Sequence, residues 1–334
     1  MSITTLAFFN NKGGVGKTTL VYHLAWMFAD LGKRIVAVDL DPQANLTASF
    51  LDEDRLEDLW TKSNNFTTIH QSMQPIIRGV GDVITPSLEI FEFHLALVVG
   101  DLSLSDFEDD LSSVWPRCLD RDERAFRVTS AFWRVVQEAG KTHDADLILL
   151  DLGPNLGAIN RAALLASDFV VVPLAPDLYS LQGLHNLGPK LRAWRNGWQE
   201  RLLKNPIPEV PMPRGSMDPV GYVVMQHSVR FDRPVRAYDR WMSRIPLAFH
   251  QDVLGNTDEF PQSFADDPYC LARLKHYRSL MAMSMESRKP MFRLRAADGA
   301  IGSHFTAAQQ TGSDFRALAE RLEMEISGRM AGNV

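Results

Sequence analysis

Between a short apolar run and a helical pattern lies Asn11 to Thr19, NKGGVGKTT. With glycine at 13, 14 and 16 the chain can take backbone angles closed to other residues, so several N–H donors can converge on one concavity. Phosphate oxygens require such a cradle. The flanks agree: Thr5 to Phe9 (TLAFF) predicts a strand, and Leu20, Val21, Leu24, Ala25, Phe28 and Leu31 fall on one helical face that Gly32 ends. A helix starting there adds its dipole and free N–H groups to the cradle. Gly13, Gly14, Val15, Gly16, Lys17, Thr18 and Thr19 are therefore the phosphate-binding candidates, with Lys17 reaching the β- and γ-phosphates and the Thr18 hydroxyl completing a Mg²⁺ shell.

A strand, loop and helix in that order constrain the rest to an α/β fold with a mostly parallel sheet flanked by helices. Further apolar runs predict strands at Ile35 to Val38, His94 to Val99, Leu147 to Leu150, Phe169 to Val172 and Val220 to Met225. Helical periodicity predicts helices over Ala125 to Ala139, Ala158 to Ala166, Tyr179 to Trp198 and Ser313 to Ile326. Asp52 to Asp144 is irregular and is expected to elaborate the core sheet, while the prolines of Pro206 to Pro213 predict an extended connector. At 334 residues the length allows two domains; the expectation is one, covering 1–334.

Acids follow two of the strands. Asp39 and Asp41, in DLDPQANLT, are two residues apart and point the same way if the strand pattern continues. Asp-Pro also starts turns, so a capped loop is the alternative. Asp151 closes the apolar LILLD, a form suited to holding Mg²⁺ directly or through water, although such runs are common by chance.

Counting back from Gly16, the position where the ordinary phosphate-loop motif has its first glycine is Asn11, followed by Lys12. The resulting KGGVGKTT resembles the deviant Walker A loop of the ParA, MinD and nitrogenase iron-protein branch of P-loop ATPases. The resemblance continues through DLDPQAN and, more weakly, through LGPNL (Leu152 to Leu156) and PLAPDLYSLQGL (Pro173 to Leu184), where Gly153 and Asn155 depart from the family's switch pattern. It implies ATP and Mg²⁺ as cofactors and a homodimer formed on ATP binding, with Lys12 reaching across to the partner's nucleotide as an arginine finger does elsewhere. It also implies that Asp41 positions or activates the attacking water, and that Asp39 and Asp151 join Thr18 in the metal shell. Lys12, Lys17 and Asp41 are the catalytic candidates. No glutamate immediately follows Asp151, so slow, timer-like hydrolysis is expected.

Net charge is −6, which conceals an asymmetry: Lys190 to Arg295 holds 18 Lys and Arg against 11 Asp and Glu, about +7. Within it Arg230, Arg233, Arg236, Arg240 and Arg244 recur every three or four residues around Tyr238 and Trp241, and a helix starting near Pro234 would align most of them. They are either contacts to a nucleic-acid backbone or a solvated face paired with Asp232 and Asp239; the family resemblance favours nonspecific DNA. A ParB-like stimulating protein is a further partner it implies. Cys118 and Cys270 have no partner at metal-ligand spacing, which argues against an iron-protein reductase, and the histidines show no such spacing either. No apolar run is long enough for a membrane span, and the acidic face of the C-terminal helix opposes a MinD-like anchor. Met281, Met283 and Met285 read as packing. The expected role is a cytoplasmic ATP-driven switch, open to nucleoid association, in DNA partitioning or positioning. A MinD-like cycle or a regulatory ATPase on the same scaffold is the alternative.

Overall fold

Alternation along the first two strands separates two cores. The computed structural model describes residues 2–61, 66–225, 240–256, 261 and 263–332. In it β1 (Thr5–Phe8) turns Leu6 and Phe8 to one face and Ala7 to the other. Strand β2 (Ile35–Asp39) divides in the same way, with Ile35 and Ala37 joining Leu6, and Val36 and Val38 joining Ala7. Both strands are buried throughout, which explains why every position before the terminal acid of β2 is apolar or a small hydroxyl.

Strands β3 (Leu88–Glu92), β4 (Leu95–Val98), β5 (Leu147–Asp151), β6 (Phe169–Leu174), β7 (Asp218–Met225) and β8 (Cys270–Leu274) complete an eight-stranded sheet ordered β3-β4-β2-β5-β1-β6-β7-β8. Its pairings are parallel apart from the β3–β4 hairpin. The expected α/β class is therefore observed, with β1 at the centre between β5 and β6.

Helix α1 (Lys17–Asp30) follows β1 as expected, but it is buried on nearly every side rather than on one stripe. The reason lies far away in sequence. The C-terminal helix Ser303–Gly332 lays Phe315, Leu318, Leu322 and Ile326 into the same core, covering the side of α1 that faces away from the sheet. Packing of that helix on the body matches the sequence reading, although it begins ten residues earlier than periodicity indicates. Among the described residues no helix is long and apolar enough to cross a membrane.

The segment 52–144 holds more regular structure than its sequence suggests: α3 (Glu53–Thr61), α4 (Ile69–Ile77), the hairpin, α5 (Phe107–Arg117), α6 (Glu123–Thr129) and α7 (Ala131–Thr142), beyond α2 (Asn45–Phe50). Most of these elements last too few turns for a period to show. The single helix expected over Ala125 to Ala139 is broken at Ser130, whose hydroxyl bonds back to the Phe126 carbonyl at 2.8 Å and competes with the helical ladder. Beyond β5 come α8 (Ala158–Leu165) and α9 (Leu178–Leu202), both where periodicity places them. Pro206 to Pro213 runs irregularly toward β7.

Candidate functional site

Strand register brings the site together. Phe8 pairs with Asp151, and Asp39 pairs with the same Asp151, so the end of β1, where the glycine loop begins, lies beside two acids at one edge of the sheet. In the loop Gly14 and Gly16 have φ of 70° and 87°, and Gly16 caps α1 in the left-handed region. A side chain at Gly16 would also meet Met225 at 2.9 Å. Val15 turns inward and is buried, while Gly13, Gly14, Gly16, Lys17, Thr18 and Thr19 line a cavity of about 680 Å³. All of the expected cradle residues are thus in one place.

Lys17 is nearly buried, with its ammonium 3.5 Å from the Lys12 carbonyl. Burial pulls its pKa down while Asp151 and Asp41 oppose the shift. The Thr18 hydroxyl donates to Asp151 Oδ2 at 2.7 Å. Asp151 is fully buried, and its pKa is raised well above the carboxylate range, first by desolvation and then by the neighbouring charge of Asp39. Its Oδ1 is buried without a hydrogen-bond partner. Three acids crowd one lysine, and a hard divalent cation beside Thr18 and Asp151 would offset the repulsion and burial that disfavour the Asp151 carboxylate and would partner its free oxygen. Among the described residues no three His, Cys, Asp or Glu side chains are placed to hold a metal by themselves. Mg²⁺ fits that arrangement because it keeps waters and substrate phosphates among its ligands.

The two acids of β2 and its following loop do not point the same way, contrary to the strand-based expectation. Asp39 is fully buried and saturated: Oδ2 accepts from the Thr47 amide and hydroxyl, both at 2.8 Å, and Oδ1 accepts from the Asp41 amide at 3.2 Å. Gly100 closes the back, where a Cβ would come within 2.9 Å of the carboxyl. Asp39 therefore braces the loop, with a pKa that burial pushes up to about 7. The chain leaves the strand at Leu40 and turns, so Asp41 alone lines the cavity, held by the Gln43 amide at 3.0 Å. Gly153, read in sequence as a departure, makes room for it: a Cβ there would lie 3.2 Å from Asp41 Oδ1.

Sequence reasoning missed the far wall of this cavity. Met281, Ser284, Met285 and Arg288, on and just after the helix Ser279–Ser287, line it opposite the loop. Two of the three methionines that read as packing thus face the site. A smaller adjoining hollow of about 70 Å³ lies beside Gly16 and Thr19 and is bounded by Met225, Leu274, Tyr277 and Phe315. No local motif marks these residues, since they lie more than 200 positions from the loop.

Lys12 does not line the cavity. Its ammonium is ion-paired to Asp177 at the start of α9, and lies 5.8 Å from the Tyr179 ring centre. Of the five arginines proposed for DNA, Arg230, Arg233 and Arg236 lie outside the described residues, as does Tyr238. Arg240 and Arg244 are exposed, with their guanidinium carbons 5.0 and 5.4 Å from the Trp241 ring centre. A turn at 243–244 separates them, so no single helix carries both. Three other arginines of this half are turned to the backbone: Arg192, Arg195 and Arg201 donate to the carbonyls of Asp252, Ser216 and Trp115.

A glycine loop at a helix N-terminus, acids on the adjoining strand ends and a mostly parallel sheet define a P-loop nucleotide-binding protein. The family model described as an AAA domain matches residues 3–203. The chain belongs to the ParA/Soj-like P-loop ATPases. It is 29% identical over 182 residues to the sporulation initiation inhibitor protein Soj of Bacillus subtilis, covering 54% of this chain and 62% of that one. It is 31% identical over 179 residues to the chromosome partitioning protein ParA of Myxococcus xanthus, covering 53% and 54%. The chain thus spans less than two thirds of the length of these relatives. The crystal structure of protein DIP2308 from Corynebacterium diphtheriae shares the fold, with a TM-score of 0.69 at 23% identity over 97% of this chain and 98% of that one.

Proposed function

We propose that this chain is an ATP-binding, slowly hydrolysing switch that pairs with a second copy and grips DNA nonspecifically, in a partitioning or positioning role. The observation that carries the reading is the Thr18 to Asp151 contact at the mouth of the glycine loop, with Asp151 Oδ1 left over. It is the arrangement a magnesium-bound triphosphate requires. The partitioning role is supported by the names of the relatives.

In this reading the amides of Gly13 to Thr19 and the Lys17 ammonium hold the β- and γ-phosphates. The small apolar hollow beside Gly16 and Thr19 suits the base. Mg²⁺, bound by Thr18 and Asp151, would screen the phosphate charge as the bond breaks. Asp39 keeps Asp41 in place, and Asp41 orients the attacking water from the cavity side. Lys12 supplies the second cation from the opposite protomer. Arg240 and Arg244 meet DNA phosphates, and a ParB-like protein or a comparable partner stimulates turnover. The site lies in the cytoplasm, where ATP and nucleoid DNA are both at hand.

The test is retention on DNA with ATP, with ADP and without nucleotide, at two salt concentrations. Retention that needs ATP and weakens with salt supports the switch. Equal retention by Lys17→Ala under ATP overturns it.

A further inference from the structure

Strand β6 and the helix that follows it meet the start of the phosphate loop at three places, the first on the strand and the other two on the helix and its cap. Asn10 donates from its amide to the Pro173 carbonyl at 2.7 Å. Gly183, one turn and a half into α9, approaches so closely that a Cβ would come within 2.8 Å of Asn11 Oδ1, a buried atom with no hydrogen-bond partner. The third point is the ion pair between Lys12 and Asp177.

Asp177 has two tasks, divided between its oxygens. Oδ1 accepts from the Ser180 amide at 2.8 Å and caps α9; Oδ2 takes the Lys12 ammonium. Against the effect of burial, Lys12 and the capping amide hold the carboxyl below its usual range. The ion pair also fixes where Lys12 points: along its own protomer, toward α9, rather than out to a second molecule. Beside it Leu178 and Tyr179 are 53% and 74% exposed, so the pair lies at the margin of an uncovered apolar surface.

We infer that Asp177 is a positioning residue for Lys12, holding it in its own protomer until a second copy of this chain presents a triphosphate that draws it away. The inference rests on the paired-protomer reading above. A single carboxylate competes poorly with the several charges of a triphosphate and its shell, but well enough against a diphosphate to disfavour closure. The exchange costs the lone protomer one partly exposed ion pair, which corresponds to about a 2- to 5-fold change in an equilibrium. Asp177 therefore sets the protein concentration at which ATP closes the pair, without touching the nucleotide.

The cap and the ion pair can be separated, because asparagine caps a helix as well as aspartate does but carries no charge. Sedimentation and turnover are measured against protein concentration for the full chain, Asp177→Asn and Asp177→Ala, with ATP or ADP. Asp177→Asn is expected to pair at about 2- to 5-fold lower protein concentration than the parent under ATP, with turnover per pair unchanged. Asp177→Glu, which restores the charge, is expected to return the midpoint toward the parent value. An Asp177→Asn midpoint equal to the parent's, or a higher one, overturns the role of Asp177 and leaves the paired-protomer reading intact. A parent that stays single under ATP while binding it overturns both.

Discussion

His23 accepts a hydrogen bond at Nε2 from the Met291 amide at 3.1 Å, which ties the C-terminal third of the chain to the helix that leaves the phosphate loop. The other ring nitrogen donates to the Thr19 carbonyl at 2.8 Å, and Phe315 stacks on the ring with centroids 5.0 Å apart. Both nitrogens are satisfied only when the imidazole is neutral. Burial accordingly pulls its pKa from 6.5 down to about 4.

The unfolded chain takes up a proton at this position as pH falls through 6.5, and the folded chain resists it until about 4. Stability from His23 is therefore complete above the first value and is lost progressively as pH falls toward the second, by about 3 kcal/mol in all. Thermal unfolding of the nucleotide-free protein between pH 4 and 7 should show this slope, and His23→Gln should flatten it. An identical pH dependence in the two proteins would show that His23 is not the group being titrated.

Asp151→Asn keeps an oxygen for the Thr18 hydroxyl and removes a charge from a crowded acidic site. The apo fold is expected to be no less stable, because the replaced carboxylate is disfavoured there. Calorimetry should instead show that magnesium no longer tightens ATP binding, a loss of about 10- to 100-fold in metal affinity. Full magnesium dependence in the variant would move the metal elsewhere.

For Asp41→Ala the expected result is retained ATP binding with turnover reduced about 10²- to 10⁴-fold. Gly153→Val tests the same residue from outside, since the added side chain would crowd the Asp41 carboxylate. It should slow turnover while leaving the affinity for ADP near the parent value. Parent-like turnover in both variants would remove Asp41 from the reaction.

Replacing Arg240 and Arg244 together with alanine should weaken ATP-dependent DNA retention uniformly across sequences. The slope of log affinity against log salt should fall by about 2, close to one for each phosphate that is no longer neutralised. An unchanged slope would leave these two arginines as a stacked surface around Trp241.

The central sheet and the phosphate cradle are legible in the sequence because each is written in a continuous stretch. Runs such as IVAV and LILL are apolar at every position since both faces are covered, and the glycines of KGGVGKTT announce a backbone that only they allow. The site's remaining features depend on distant residues meeting. Asp39 and Asp41 look equivalent in DLDPQAN, yet Thr47 and Gly100 capture one and Gly153 admits the other. Nothing within Ser279 to Ser287 signals that Met281 and Met285 face a cavity, because the opposing wall is made by residues between Gly13 and Ser49 and by Pro154. Ser130 divides a helix by competing for one carbonyl, a local contest that periodicity averages away.

Helix α9 has 25 residues and spans about 37 Å. At its middle, Gly188 leaves no space for a side chain against the Asp252 backbone, and Arg192 grips the carbonyls of Asp252 and Val253. The middle of the helix is thus seated tightly on the segment Phe249–Leu254, which follows closely on Arg240 and Arg244 in the chain. A methyl group at Gly188 would collide with the Asp252 backbone, so Gly188→Ala would force the helix and that segment apart at a place where backbone meets backbone.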